Sequence, residues 1–275
     1  MPVADARARI LADLPTMASE QVALTEAHGR VLAADVDARV TQPPLAVSAM
    51  DGYAVRAEDV ANVPVDLKIV GAVPAGGRHD GVVGPGETVR IFTGAALPDG
   101  VDAIVIQEDT DRDGDTVTIK ESSAAGRYVR KAGLDFETGD VLLTAGTVLS
   151  ARDIGLAAAM NHPWLQVRRR PRVALLATGD EISLPGEALG PTSIVSSNTF
   201  ALEGLIRAAG GEPVTLGIAP DDKAAISAMA EGARGADMLV TTGGASVGEH
   251  DLVKDALADI GLELDFWQIA MRPGK

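Results

Sequence analysis

The sequence predicts an α/β protein: a parallel-sheet domain preceded by a helical segment that carries an inserted all-β domain. Three observations predict it. From Arg172 onward, apolar runs of strand length alternate with amphipathic helical stretches. Over residues 45–140, short β-branched runs alternate with clusters of Gly, Pro and Asp. On both sides of that region the apolar spacing returns to the helical period. A chain of 275 residues is also too long for most single cores.

Residues 1–44 form the helical N-terminal segment. Val3 to Leu14 repeat apolar positions at helical spacing, and "TEAHGRVLAADV" reads as a second helix before Pro43 and Pro44. Residues 45–140 are the inserted β domain, with strands expected in "VDLKIVGAV", "TVRIF", "DAIVIQED" and "TVTIK". Residues 141–170 return to helix at "ARDIGLAAAMNHPW" and end in the basic run "RRRPR", which reads as a solvated linker. Residues 171–275 are the α/β domain. Strands are expected in "VALLATGDE", "PVTLGIAP", "ADMLVTTGG" and "LDFWQIAM". Helices are expected in "SNTFALEGLIRAAGG", "DDKAAISAMAEGARG" and "DLVKDALADIG".

Composition excludes several functions. The net charge of −15 repels phosphate at long range and argues against a nucleic-acid binder. There is no apolar run of the ~18 residues that a membrane helix needs, and the charged N-terminus does not read as a secretory signal. The chain has no cysteine, which excludes disulfides, thiolate metal sites and a Cys nucleophile and points to the cytoplasm. His28, His79, His162 and His250 lack the His-Glu-x-x-His spacing of a zinc hydrolase.

In open α/β sheets ligands bind beyond the carboxyl ends of strands. Two loops leave such ends: "ATGDE", with Thr178, Gly179, Asp180 and Glu181, and "TTGGASVGEHD", from Thr241 to Asp251. Glycines let backbone amides approach a ligand, and Thr and Ser add hydroxyl donors. Neither loop is a Walker loop or a dinucleotide fingerprint. Asp180, Glu181, Asp221, Asp222, Glu249 and Asp251 place hard oxygen ligands at strand ends or helix starts, which suits Mg²⁺ with phosphates. Helix capping is the alternative for Asp221 and Asp222. The closing "MRPGK" sets Arg272 and Lys275 around a Pro-Gly turn, as an oxyanion cradle or an exposed basic turn. Upstream, Asp51 lies beside Gly52 in the apolar run "PPLAVSAMDGYAV", and on local pattern the pair reads as a hairpin turn.

These stretches carry a family resemblance. "SAMDGYAV", "IFTGAALP", "VIQED", "ATGDEI", "SNTFAL", "TTGGASVGEHD" and "MRPGK", in this order, resemble the MoeA/gephyrin E family of molybdopterin molybdenumtransferases. The resemblance implies a three-layer MogA/MoeA-like parallel-sheet domain. It implies a homodimer that inserts molybdate-derived molybdenum into adenylylated molybdopterin and releases AMP, with Mg²⁺ assisting. The site would be shared between the β insertion of one subunit and the α/β domain of the other. On this view Asp51, Thr93, Glu181 and Asp251 are catalytic. Thr178, Gly179, Asp180, Gly243, Gly244, Ser246, Arg272 and Lys275 bind the pterin nucleotide and oxyanion, and Asp180, Glu181 and Asp221 hold metal. Many relatives carry Lys where this chain has Arg272, and the family continues past Lys275 into a small β domain, so the α/β domain is expected to be incomplete. Two other readings stand beside this one. A CinA-like nucleotide pyrophosphatase or deamidase-related protein shares the Thr-Gly-Asp-Glu loop but lacks the "SAMDGYAV" insertion, and a non-catalytic molybdopterin-binding or scaffold module is the other.

Overall fold

A computed structural model describes residues 1–243, 252–266 and 269–271. The α/β class expected from the alternating pattern is the one formed, with a β-rich region inserted ahead of the parallel sheet. The chain divides into two compact units. One comprises Met1–Gln21, Gly29–Ala33 and Gln166–Lys275, and the other Val22–His28 and Ala34–Leu165.

The β-rich unit is built on a six-stranded sheet. Its spatial order is Ala103–Ile106, Gly52–Val55, Glu87–Ile91, Val65–Val73, Thr116–Ile119 and Thr110–Asp113. Glu87–Ile91 and Val65–Val73 pair in parallel and the other neighbours antiparallel. Successive side chains of a strand face opposite sides, and here both sides are covered. Tyr53, Val55, Leu67, Val105 and Ile119 build one core, and Ala54, Val73, Val89, Ile91 and Ile104 the other. Each large aliphatic side chain so buried contributes about 1.5–3 kcal/mol.

Double burial explains why Gly52–Val55 is apolar without alternation. It also corrects the reading of Asp51-Gly52 as a hairpin turn. Gly52 is the first residue of the strand and is already paired with Ile91 and Ile106. Glycine is required there because a Cβ would lie 2.0 Å from the Val105 carbonyl oxygen.

In the same unit, helix Ala151–Ala159 starts where the sequence predicts. Its Ser150 and Asp153 form a capping box in which Ser150 N–H and Oγ–H donate to Asp153 Oδ2 at 2.8 and 2.7 Å.

The other unit holds a parallel sheet ordered Glu212–Ala219, Arg172–Thr178, Met238–Thr242. The central strand is buried from Val173 to Thr178. Leu176 and Ala219 pack with Ile226 and Ala230 of helix Lys223–Ala230 and with Val253, Ala256 and Leu257 of helix Leu252–Asp259. Helix Asn198–Ala208 leads into the Glu212–Ala219 strand.

Three further expectations are corrected. "TEAHGRVLAADV" is not a helix: only Leu24–Glu26 makes a 3₁₀ turn, and Gly29 adopts φ 71°. The backbone beyond it pairs across the chain, Ala33 N–H donating to Gln166 O and Arg168 N–H to Val31 O. Those bonds replace the i−4 bonds of a helix.

"LDFWQIAM" makes no strand among its described residues; Trp267 and Gln268 lie outside them. Ala270 N–H donates instead to the Met1 carbonyl.

The "RRRPR" run is not a solvated linker. Arg169 grips Asp237 through two bonds of 2.8 Å, Asp237 Oδ2 accepts the Arg172 N–H at 2.7 Å, and Arg168 and Arg170 donate to backbone carbonyls. The planar guanidinium fork matches a carboxylate in this way. The Arg169 bonds, then the Arg172 amide, hold the Asp237 carboxyl far below the usual range. Among the described residues no helix is long and apolar enough to cross a membrane.

Candidate active site

The first group of candidate residues sits at one end of the six-stranded sheet. Asp51 precedes the Gly52–Val55 strand, and Thr93 follows the neighbouring Glu87–Ile91 strand, so the pairing Gly52–Ile91 brings them together. Thr93 N–H and Oγ1–H both donate to Asp51 Oδ1 at 2.8 Å. The backbone bond and then the hydroxyl bond from Thr93 hold the Asp51 carboxyl below its ordinary value; burial opposes them more weakly, and the Arg90 charge adds the smallest lowering effect. Asp51 is therefore a carboxylate at neutral pH, fit to accept a proton or a donor and not to give one up. Ser48, fully buried, fixes the approach by donating from Oγ to the Met50 carbonyl at 2.6 Å.

The second group sits at the carboxyl ends of the parallel strands. Thr178 ends the central strand and is 2% exposed, and among the described residues its Oγ1 has no hydrogen-bond partner. It lines a cavity of about 260 Å³ with Glu181, Ser196, Ser197, Asn198 and Gly243. Gly243 adopts φ 92°, and a Cβ on it would lie 2.2 Å from the Thr178 carbonyl oxygen, so only glycine lets the two strand ends meet. Asn198 opens helix Asn198–Ala208, and the Ser197 side chain makes no capping bond. Gly179 N–H donates to Ala219 O. Asp180 Oδ1 accepts the Asp221 N–H at 3.0 Å, and Asp221 Oδ2 accepts the Asp180 N–H at 3.4 Å. Asp222 caps helix Lys223–Ala230 through the Ala225 N–H, so of the two adjacent acids only Asp222 is a cap. Asp180 lines a further cavity of about 390 Å³ with Gly179, Ile182 and Glu187.

Thus Asp51 and Thr93 are in direct contact in one unit, and Thr178, Gly179, Asp180, Glu181, Asp221 and Gly243 cluster at one sheet end in the other. Gly244, Ser246, Glu249, Asp251, Arg272 and Lys275 lie outside the described residues.

Comparison with known proteins shows the family of the chain. The model of the MoeA N-terminal region (domain I and II) matches residues 1–161, and that of the probable molybdopterin binding domain matches residues 174–275. The chain belongs to the MoeA family. A molybdopterin molybdenumtransferase of Nostoc sp. is 39% identical over 100% of this chain and 65% of its own length. One from Haemophilus influenzae is 35% identical over 98% of this chain and 67% of its own. The crystal structure of the molybdopterin biosynthesis MoeA protein from Pyrococcus horikosii superposes with a TM-score of 0.86 at 35% identity, covering 100% of this chain and 70% of that one. The chain thus spans about two thirds of the length of these MoeA relatives.

Within the MoeA framework two features escaped sequence reasoning. Ser196 is not singled out by the sequence, and Ser197 and Asn198 are legible only as a helix start and as part of the "SNTFAL" stretch, although all three line the Thr178 cavity. Arg90 was read as an ordinary strand residue of "TVRIF", although it lies beside Asp51.

Proposed function

We propose that the chain is a molybdopterin molybdenumtransferase: it takes adenylylated molybdopterin and molybdate as substrates, inserts the metal and releases AMP. The observation that carries this reading is the buried Thr178 hydroxyl, without a partner among the described residues, in a polar cavity at the strand ends. A buried hydroxyl without a partner costs about 1–3 kcal/mol, which a ligand oxygen recovers. The opening of helix Asn198–Ala208 in the same cavity favours an anion, as a nucleotide phosphate requires. Ser246, Arg272 and Lys275 are assigned to the oxyanion, Gly244 to the nucleotide, and Glu181 and Asp251 to catalysis with Asp51 and Thr93.

Mg²⁺ binds one or two carboxylates, with water and substrate phosphates completing its shell. Asp180 and Asp221, held side by side through their backbone amides, fit that donor set. Among the described residues no three acidic or histidine side chains gather into a metal cage. When bound there, Mg²⁺ would neutralise phosphate charge. The reading includes a cytoplasmic homodimer in which Asp51 and Thr93 of one chain serve the parallel-sheet unit of the other.

Incubation with adenylylated molybdopterin, molybdate and Mg²⁺, with AMP as readout, tests this. AMP release that requires molybdate supports the transferase. Nucleotide binding without AMP release replaces it with the binding-module reading, and neither binding nor release overturns both.

A further inference from the structure

We propose that Arg90 is a positioning residue for the Asp51 carboxylate, tying the loop that carries it to the two strands on either side. The proposal rests on the reading of Asp51 as the site acid. Gly52 pairs with Ile91 on one flank and Ile106 on the other, so Asp51, Thr93 and Gln107 emerge at the same sheet end. Arg90, directly cross-strand from Tyr53, spans them. Its Nη1 donates to the Gly52 carbonyl at 3.0 Å and its Nη2 to Gln107 Oε1 at 2.5 Å. Gln107 N–H donates in turn to the Asp51 carbonyl at 3.1 Å, while Thr93 holds the Asp51 carboxylate. One guanidinium therefore joins the Gly52 carbonyl to the side chain of Gln107, whose amide holds the Asp51 carbonyl, and so fixes the backbone that follows the Asp51 side chain.

The guanidinium is itself held. It lies over the rings of Tyr53, 5.2 Å away, and Phe92, 4.8 Å away. An arginine serving only solubility has no use for two acceptors and two rings. Lysine would keep the charge but reach one acceptor at a time, with no plane to stack. Around Asp51, Arg90 comes from the Glu87–Ile91 strand, and its charge favours the ionised acid. The nearby acid is Glu108 of the Gln107–Asp109 turn, whose Oε1 accepts from Gln107 Nε2 at 3.3 Å.

The test separates Arg90 from the function itself by reading Asp51 and Thr93 directly, by NMR on the free protein. In Arg90→Met the Asp51 carboxyl should titrate closer to the ordinary carboxylate range. The Thr93 amide should exchange about ten-fold faster, since a charge-assisted bond network is lost. Gln107→Ala, which keeps the charge and both rings, should speed Thr93 exchange less. Arg90→Lys should restore the Asp51 titration but not the Thr93 protection. In turnover, Arg90→Met should lower kcat for AMP release with little change in KM. A folded Arg90→Met with parental titration and exchange overturns the proposal, whether or not the protein releases AMP. If Arg90→Met does not fold, parental Thr93 exchange in both Arg90→Lys and Gln107→Ala overturns it instead.

Discussion

At the scale of single residues, the proposed function turns on a carboxylate that the protein keeps ionised. The Thr93 amide and hydroxyl both point at Asp51 Oδ1. They stabilise the charged form, so the folded value lies below the unfolded one. Any stability this group contributes is present above the ordinary carboxylate range and lost as pH falls through the lowered value. The acid limb of AMP release should therefore lie below the ordinary range of an aspartate. Thr93→Val removes the hydroxyl bond and keeps the amide bond, so a pH–rate profile should show that limb moving up. Asp51→Asn keeps the shape and one acceptor but loses the charge. It should lower AMP release about a hundred-fold or more, the usual worth of a positioned acid–base group. Thermal unfolding should stay near the parent's, because Asn is nearly isosteric and keeps an oxygen that can accept the Thr93 bonds. Normal turnover in Asp51→Asn would remove the acid from the mechanism.

Elements explain why those residues meet. Gly52 is held by close approach, so Gly52→Ala drives a Cβ into the Val105 carbonyl in the middle of a doubly covered sheet. The nearest atoms are all backbone of Val105 and Ile106, so no flexible side chain can yield. The change should cost about 3 kcal/mol or more in urea denaturation. Gly155 offers the contrast: it lies mid-helix in Ala151–Ala159 with nothing within 4 Å of its would-be Cβ. Gly155→Ala should stabilise by about 0.5–1 kcal/mol, because the helix loses an entropic cost and meets no clash. The two substitutions together separate close packing from chain entropy. The same scale shows what was legible in the sequence. The strand–helix alternation after Arg172 is local and periodic, and it was read correctly as far as Asp259. "TEAHGRVLAADV" was misread because its apolar residues serve a pairing with residues 166–168, more than 130 positions away, which no local pattern encodes. Arg90 was invisible for the same reason: its partners Tyr53, Gly52 and Gln107 are set by strand pairing, not by spacing. Asp51 itself was legible only through the quoted family motif, since Asp-Gly alone reads as a turn.

The whole molecule carries a net charge of −15 while its proposed substrates are anionic. At physiological salt that field is screened over about 8 Å, so capture depends on local donors. The parallel-sheet unit supplies the Thr178 hydroxyl and a helix start, and the β-rich unit supplies a carboxylate that cannot itself attract an anion. An acid of this kind suits a site completed by a second surface, which is the arrangement proposed for the homodimer. That arrangement makes a quantitative prediction. Asp51→Asn and Asp180→Asn fall in different units of the chain, and each alone should abolish AMP release. In a two-fold dimer with shared sites, a mixed dimer has one site carrying both substitutions and one carrying neither. Random exchange makes half the dimers mixed, so an equal mixture should recover about a quarter of the parental rate. Mass-tagged chains confirm that exchange has occurred, and sedimentation at micromolar concentration confirms the dimer. Exchange without recovery would place Asp51 and Asp180 in the same subunit's site. A strict monomer that still releases AMP would show that the β-rich unit works without a partner, and Asp51 would then have to act within its own chain.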